Sequence, residues 1–363
     1  MKKRAQGLQI GIVGAGKIGG TIATLLESCD FCRSVIVGDS RRNIDLKGLK
    51  KARAVLLDVK GAAAVSCFVD GCDAIVSAAP YYLNRRIATA CARAGISYFD
   101  LTEDVETTAF IRKLAEDSEA TFMPQCGLAP GAINIIGGSL MSSLQKVRQC
   151  ELRVGALPLH ASNQMKYYLS WSTAGLINEY CQIGEALHCC RRLPTLPLDG
   201  VERITIDGAE YEAFNTSGGV ATMCETFEGR VGELSYKTLR YPGHRDLMKF
   251  LLQDLNLGTK QELLTQIFDQ EVPLTDSDVV VFYVSVVGQD AGGLVQRSFV
   301  KKMRGDKVEG RRLNAIQLTT AAGVVAVLEI FAKGCLSKGF VKQESISMGE
   351  FMGTQWGKRV YGT

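Results

Sequence analysis

The sequence lacks the features that mark membrane proteins, nucleic-acid-binding proteins and metalloproteins. No apolar run approaches the ~20 residues that span a bilayer, so we expect no membrane association. The net charge of +4 over 363 residues is too small to indicate nucleic acid as a partner. The three histidines show no metal-ligand spacing, and we find no internal repeat or low-complexity segment. We therefore expect no bound metal and a small-molecule ligand.

Export signals are also absent from the sequence. The start Met1–Arg4 is basic, but the apolar segment after it is short and belongs to a predicted strand. We expect a cytoplasmic protein whose 12 cysteines are reduced thiols. Cys29 and Cys32 have the spacing of a zinc or redox pair, but no second pair accompanies them. We interpret both, and also Cys189–Cys190, as structural.

A glycine-rich turn near the start organises the chain. The apolar run Ile10–Val13 predicts a buried strand, and a helix follows whose face carries Ile22 and Leu25. Gly14 suits the tight turn, Gly16 lets a pyrophosphate approach the main chain, and Gly19 allows close packing of helix on strand. The pattern predicts a dinucleotide site at the helix N-terminus.

An acidic residue strengthens this interpretation. Asp39 ends a second predicted strand and follows Gly14 by 25 positions, close to the ~20 expected for a ribose-binding acid. It favours NAD, whereas Arg41 and Arg42 would suit the additional phosphate of NADP. We expect NAD, with NADP as the alternative. The predicted cofactor residues are Gly14, Gly16, Lys17, Ile18, Gly19, Asp39, Ser40, Arg41, Asp58, Ala78, Ala79 and Pro80.

Strands and helices alternate as far as Gln125, and the chain is long enough for two domains. We predict an α/β fold: a Rossmann doubly wound parallel sheet with an inserted α+β domain for substrate binding and dimerisation. The predicted nucleotide domain spans 1–129 and is completed by 316–363, where an apolar helix runs from Gln317 to Lys333. The predicted inserted domain spans 130–315 and has an antiparallel or mixed sheet.

Several polar residues follow the predicted strands of the first domain. Ligands of open α/β sheets bind beyond the carboxyl ends of the strands, which selects Tyr81, the stretch Asp100–Asp104, and Cys126. Each has a structural alternative, because acids favour the first turn of a helix and a cysteine is often a small buried residue. Their convergence on one sheet edge favours a catalytic role for Tyr81, Asp100, Glu103, Asp104 and Cys126.

Longer motifs resemble the saccharopine dehydrogenase-like family, and most closely its L-lysine 6-dehydrogenase type. The matching segments cover nearly the whole chain and are Ala-Ala-Pro-Tyr (78–81), Asp-Leu-Thr-Glu-Asp (100–104), Gln-Cys-Gly-Leu-Ala-Pro-Gly (125–131), 153–158, 170–180 and 238–244. The resemblance implies a homodimer whose second domain carries the substrate pocket and the subunit contact. Candidate substrate residues are Gly127, Trp171, Glu179, Arg240 and His244.

The resemblance implies a nicotinamide-dependent amine dehydrogenase. Saccharopine reductases tend to carry an arginine in the segment that matches Ser170–Gly175, whereas this chain has Ala174 there. That difference favours lysine, oxidised at its ε-amine, over a substrate with an added glutaryl arm. Arg153, Lys166, Arg240 and Arg245 are candidates for the substrate carboxylate, and Arg240 fits best. The alternatives are a secondary-amine dehydrogenase acting on saccharopine or a carboxypolyamine, and a non-catalytic NAD(H)-binding regulator.

Overall fold

The structure is a computed structural model that describes residues 7–362, so the basic start at 1–4 lies outside it. The strands are β1 Leu8–Val13, β2 Cys32–Asp39, β3 Ala52–Leu56, β4 Ala74–Ser77, β5 Ser97–Asp100, β6 Thr121–Met123, β7 Lys146–Pro158, β8 Gly184–His188, β9 Arg191–Thr195, β10 Glu202–Ile206, β11 Ala209–Asn215, β12 Val231–Arg240, β13 Asp278–Asp290, β14 Gly293–Arg304, β15 Asp306–Val308, β16 Arg311–Leu313 and β17 Gly339–Phe340. The helices are α1 Lys17–Glu27, α2 Ala62–Asp70, α3 Tyr81–Ala94, α4 Val105–Ala115, α5 Ala132–Ser142, α6 Thr173–Cys181, α7 Met223–Phe227, α8 His244–Lys249, α9 Gln261–Glu271, α10 Ala315–Ala332 and α11 Met348–Met352.

The chain divides into two compact units. The first contains the described residues up to Ile135, Lys307–Leu313 and the tail from Gln317, and the second contains Ile136–Asp306 with Asn314–Ile316. The first unit therefore runs six residues beyond the sequence-predicted end at Ala129, to Ile135. Each unit has its own apolar core.

The first unit is built on a parallel sheet. Among the described residues this sheet has seven strands in the order β17-β6-β5-β4-β1-β2-β3. Six of them follow the doubly wound order, whose direction reverses between β1 and β4, where dinucleotides bind. The buried face of α1 carries Ile22, Leu25 and Leu26, as its apolar period predicts. The predicted Rossmann fold is thus confirmed.

Two elements of this unit were not predicted. Helix α2 buries Val65, Phe68 and Val69, which have helical spacing. The neighbouring alanines make this apolar period hard to recognise in the sequence. Strand β3 ends at Leu56, before the loop that leads into α2. Strand β17 has only two residues, too few for any period, and exists because Gly339 N–H donates to Ala120 O at 2.9 Å. The tail thereby adds an edge strand to the sheet.

The tail also packs into the first unit through its side chains. The indole of Trp356 is fully buried and donates to the backbone oxygen of Leu25 at 3.2 Å. The sequence expectation that no apolar run could span a bilayer does not hold for α10, the one described helix that is long and apolar enough to do so, although 83% of it is buried inside the protein. Helix α10 is therefore a core helix of this protein.

The second unit contains a mixed sheet, as predicted. Its path is β10-β11-β12-β7-β13-β14, with the hairpin β8–β9 attached to β12. Strands β12 and β7 are parallel, and the other neighbours are antiparallel. Helix α8 continues directly into a π-helical turn at Phe250–Asp254. The apolar residues of β13, including Val280 and Phe282, are buried within the single chain, so they do not by themselves require a second subunit.

Candidate active site

The glycine turn forms a dinucleotide cradle. Gly14 has φ +100°, and a Cβ there would lie 2.7 Å from Ala78 O. A Cβ at Gly16 would meet nothing within 4 Å, and Gly16 is the N-cap residue of α1, which has no side-chain cap. This open helix N-terminus fits a pyrophosphate. Ala78, Ala79 and Pro80 follow β4 beside the turn, and their small side chains leave the cradle open.

Gly19 holds the turn against the helix. A Cβ at this position would lie 1.9 Å from Gly14 O, a clash with backbone that no rotamer relieves. We expect Gly19→Ala to weaken dinucleotide binding by on the order of 10-fold or more, because the turn must open to accept the methyl group. Titration of cofactor fluorescence measures this effect. Gly20→Ala is the matched control, since a Cβ there meets nothing within 4 Å, and equal effects at both positions would contradict the packing argument.

Asp39 is coupled to the same turn. One carboxylate oxygen accepts from Ala15 N–H at 2.6 Å, and both oxygens accept from the Arg41 guanidinium. The Arg41 guanidinium, with the Ala15 N–H, lowers the pKa of Asp39 to about 2. The carboxylate is therefore ionised at the position where an adenosine ribose is expected. Ser40, Arg41 and Asp58 are exposed around it.

The acidic stretch after β5 divides into residues with different roles. Asp100 is fully buried, accepts from Thr102 N–H and Gln125 N–H at 3.0 Å, and accepts from Tyr98 Oη at 2.8 Å. Burial raises its pKa to about 6, against these donors. Asp104 caps α4 by accepting from Thr107 N–H at 2.8 Å. Both carboxylates therefore have backbone hydrogen-bond partners, and the catalytic roles expected for them stay predictions.

Glu103 is the remaining carboxylate of this stretch. Burial raises its pKa to about 7, and the charges of Asp104 and Asp100 act in the same direction. Tyr81 is 36% exposed. Burial raises the pKa of its hydroxyl, and the charges of Asp104 and Glu103 raise it further, which places Tyr81 near both carboxylates. A carboxylate whose pKa is near neutrality suits general-base work.

Cys126 lies buried just after β6, with hydrogen-bond partners on both sides of its thiol. Its side chain is 1% exposed, donates to Met123 O at 3.0 Å and accepts from Gln343 Nε2 at 3.2 Å. Burial raises the pKa of its thiol, and the thiolate is the reactive form of cysteine. The thiol is therefore neutral, and a catalytic role for Cys126 stays a prediction that does not involve a thiolate. Gly127 is buried beside it, and a Cβ there would lie 3.1 Å from Pro130 O.

The second unit buries a cation in an aromatic cluster. Arg240 ends β12 at 3% exposure, with its guanidinium carbon 5.2 Å from the Tyr167 ring centroid and 5.8 Å from that of Tyr180. Its Nη1 donates to Leu239 O at 2.8 Å, and its Nε has no hydrogen-bond partner among the described residues. A buried donor without a partner is costly, so this site is suited to an anionic acceptor.

His244 and Trp171 support this cluster. His244 is fully buried, and its Nδ1 donates to Met165 O at 2.9 Å, which leaves Nε2 to accept from Tyr180 Oη at 3.2 Å. Burial, with the charge of Arg240, lowers the pKa of His244 to about 3, so the ring is neutral. Trp171 Nε1 donates to Tyr167 Oη at 3.1 Å. Both residues position the tyrosines around Arg240, and their predicted contact with a substrate stays a prediction.

Glu179 and a neighbouring cavity complete this region. Glu179 is 9% exposed on α6, and its charge acts on Arg240. A cavity of about 610 Å³ is lined by the segment after β7 and by residues that flank Tyr167 or follow Arg240 along the chain, namely Leu159, His160, Ala161, Ser162, Lys166, Tyr168, Tyr241 and Pro242. Lys166 Nζ donates to Pro242 O at 3.0 Å within this lining.

A doubly wound sheet with an open glycine turn and an acid at the end of the second strand is typical of a dinucleotide-binding domain. Comparison with known families gives the particular group. Residues 10–123 match the saccharopine dehydrogenase NADP binding domain, and residues 127–354 match the saccharopine dehydrogenase C-terminal domain. The chain belongs to the saccharopine dehydrogenase family, which confirms the family that the sequence motifs resemble.

Individual relatives agree with this assignment. Over 181 residues the chain is 24% identical to the mitochondrial alpha-aminoadipic semialdehyde synthase of Mus musculus, a stretch that is 47% of this chain and 19% of that protein. The chain therefore matches about a fifth of that relative's length. Saccharopine dehydrogenase (L-Glu forming) from Saccharomyces cerevisiae is similar in fold, with a TM-score of 0.76, 14% identity and coverage of 95% of each chain. The DAP dehydrogenase of C. glutamicum aligns with a TM-score of 0.50, 11% identity and coverage of 96% and 97%.

Proposed function

We propose that this protein oxidises the ε-amine of L-lysine with NAD and releases ammonia and 2-aminoadipate 6-semialdehyde. The observation that carries the proposal is Glu103, a carboxylate with its pKa raised to about 7 beside Tyr81. Family membership supports amino-acid oxidoreduction in general. The name of the mouse relative contains the same aldehyde, which supports this product.

The chemistry requires a base before oxidation. An ammonium has no lone pair to stabilise a forming iminium, so Glu103 would take one proton from the substrate. NAD, when bound at the glycine turn, would supply the acceptor for the hydride that leaves the amine-bearing carbon. Water adds to the resulting substrate iminium, and the carbinolamine then breaks its C–N bond to give aldehyde and ammonia. Once its first proton has passed to solvent, Glu103 would take the proton from that water, directly or through the Tyr81 hydroxyl as a relay, and would return a proton to the departing nitrogen.

Arg240 is our candidate for binding the substrate α-carboxylate. Its orphaned Nε and its aromatic neighbours suit an anion excluded from water. Arg153 is less suitable, because its guanidinium already binds Glu202 and Ser235 O. Arg245 likewise binds Glu212 through its backbone and Asp246 through its side chain. Arg240 thus remains the best of the candidate arginines.

An amine screen tests the proposal directly. NADH formation would be recorded with lysine, saccharopine and other amines at equal concentration, with both NAD and NADP. Lysine turnover that is lost in Glu103→Gln is the expected result. Saccharopine oxidation without lysine activity would contradict it and favour the second candidate, a secondary-amine dehydrogenase. That candidate is favoured by the fold similarity to the yeast saccharopine dehydrogenase. Cofactor binding without turnover of any amine would favour a regulator.

NAD is the preferred cofactor in this proposal, and Asp39 supplies the test. We expect Asp39→Ala to lower kcat/KM with NAD by roughly 10- to 100-fold, since a hydrogen bond to a charged group contributes about 1.5–3 kcal/mol. Activity with NADP should rise, because Arg41 is released from Asp39 and can hold a phosphate. The double variant with Arg41→Ala should lose that rise. Higher kcat/KM with NADP in the unchanged protein would refute the preference.

We also propose a cytoplasmic homodimer. All 12 cysteines are free thiols, which suits a reducing compartment. The dimer rests on the family resemblance alone, since the apolar residues of β13 are already covered within one chain. Sedimentation as a monomer at micromolar concentration would remove it.

A further inference from the structure

The hairpin β8–β9 in the second unit carries cysteines where hairpins usually carry glycine or asparagine. His188 and Arg191 close the turn, and Cys189 and Cys190 occupy its two central positions with φ 48° and 65°. Positive φ at both positions is the geometry of a two-residue type I′ turn. Side chains other than Gly, Asn and Asp are uncommon there. The thiols therefore occupy positions that turn formation alone would not select.

Strand β12 brings a carboxylate to this turn. Leu187 of β8 pairs with Leu234 of β12, so Glu233 lies beside the tip of the hairpin. His188 Nδ1 is 2.9 Å from a Glu233 carboxylate oxygen, and Cys189 N–H donates to that carboxylate at 3.2 Å. Cys190 N–H donates to Gly232 O at 3.0 Å. The tip is thus anchored to the sheet through backbone and side chain.

We propose that His188, Cys189 and Glu233 form a binding site for a divalent transition metal of the zinc class. Among the described residues these three offer an imidazole nitrogen, a thiol sulfur and a carboxylate oxygen that all lie within 4.8 Å of one another. Zinc takes these ligand types at about 2.0–2.3 Å, so modest side-chain rotations bring them around one ion. A thiolate and a carboxylate balance the charge of the ion, and water would fill the fourth position.

The site is separate from the proposed chemistry. Glu233 and Arg240 lie seven positions apart on β12, which corresponds to roughly 23 Å at about 3.3 Å per residue. None of the three ligands belongs to the proposed catalytic or substrate residues. Loss of the metal should therefore leave the basal activity unchanged. A bound ion would instead join the hairpin to β12 and stabilise that edge of the sheet.

The test uses the full chain, reduced and stripped of metal. Zinc would be titrated against a chromophoric competitor, and cobalt would be added separately to record the thiolate-to-metal charge-transfer band. We expect one equivalent of zinc and a band that disappears in Cys189→Ser. His188→Gln and Glu233→Gln should each weaken binding by on the order of 10-fold or more. Cys189→His, which keeps a ligand, should retain zinc binding while losing the cobalt band.

Matched controls separate this site from general thiol binding. Cys67 is exposed on α2 in the first unit, and Cys67→Ser should leave zinc binding unchanged. Cys190→Ser should also leave it unchanged, since Cys189 is the assigned ligand. The proposal is overturned by the absence of stoichiometric binding, by unchanged binding in both Cys189→Ser and His188→Gln, or by loss in Cys190→Ser alone. Circular dichroism of each variant establishes that it is folded.

Discussion

Glu103→Gln should reduce kcat for amine oxidation by about 10²–10⁴-fold, the usual contribution of a positioned general base. In the unchanged protein, kcat should fall as the pH drops below about 7, because protonated Glu103 cannot accept the substrate proton. The variant has no titrating group at this position and should lose that acid limb. A pH–rate profile of both proteins at saturating lysine measures the effect.

The pH dependence of folding stability tests the raised pKa of Glu103 independently of activity. Burial raises the pKa of Glu103 from its ordinary 4.5 to about 7, so the folded protein holds this proton more tightly than the unfolded chain does. The associated stability is complete below pH 4.5 and is lost as the pH rises to 7. Glu103→Gln keeps a neutral side chain, so its Tm relative to the unchanged protein should be higher at pH 8 than at pH 4.

Asp104→Asn is the matched control for this prediction. It changes the neighbouring carboxylate to an amide but keeps a side chain that caps helices well. We expect its kcat and its acid limb to remain close to those of the unchanged protein. An equal loss of kcat in both variants would show that the acidic stretch acts through its structure. Unchanged kcat in Glu103→Gln would exclude Glu103 as the base.

Arg240→Met should raise KM for lysine by on the order of 10²-fold or more and change kcat much less. Loss of one partner from a buried, hydrogen-bonded charge pair costs about 2–5 kcal/mol. A carboxylate far from the reacting carbon is bound equally in the ground state and the transition state, so its loss appears in KM. Initial rates over a range of lysine concentrations separate the two constants.

Two further variants guard against a purely structural effect. Arg240→Lys keeps the charge between Tyr167 and Tyr180 but loses the planar fork, and we expect an intermediate KM. Arg245→Met removes a nearby cation that is already paired with Asp246 at 2.7 Å, and its KM should stay within about twofold. Lysine should raise the Tm of the unchanged protein but not that of Arg240→Met. A folded Arg240→Met with unchanged KM would remove Arg240 from the substrate site.

The local features of this protein were predictable from its sequence. The glycine turn, the acid at the end of β2 and the alternation of strands and helices depend on residues near one another, so their spacing indicates the Rossmann fold. Gly95 ends α3 with φ 67°, as a left-handed helix end requires. The mixed sheet of the second unit was also predictable, because its strands carry their own apolar patterns.

Tertiary structure decided the roles of individual side chains. Asp100, Glu103 and Asp104 look alike in the sequence, but Gln125 N–H and Thr107 N–H engage Asp100 and Asp104 respectively. Cys126 is enclosed by Gln343, more than two hundred positions away. Likewise, His188 meets Glu233 only through the pairing of β8 with β12. Burial and contact across strands depend on pairing between distant segments, and no local pattern in the sequence encodes that distance.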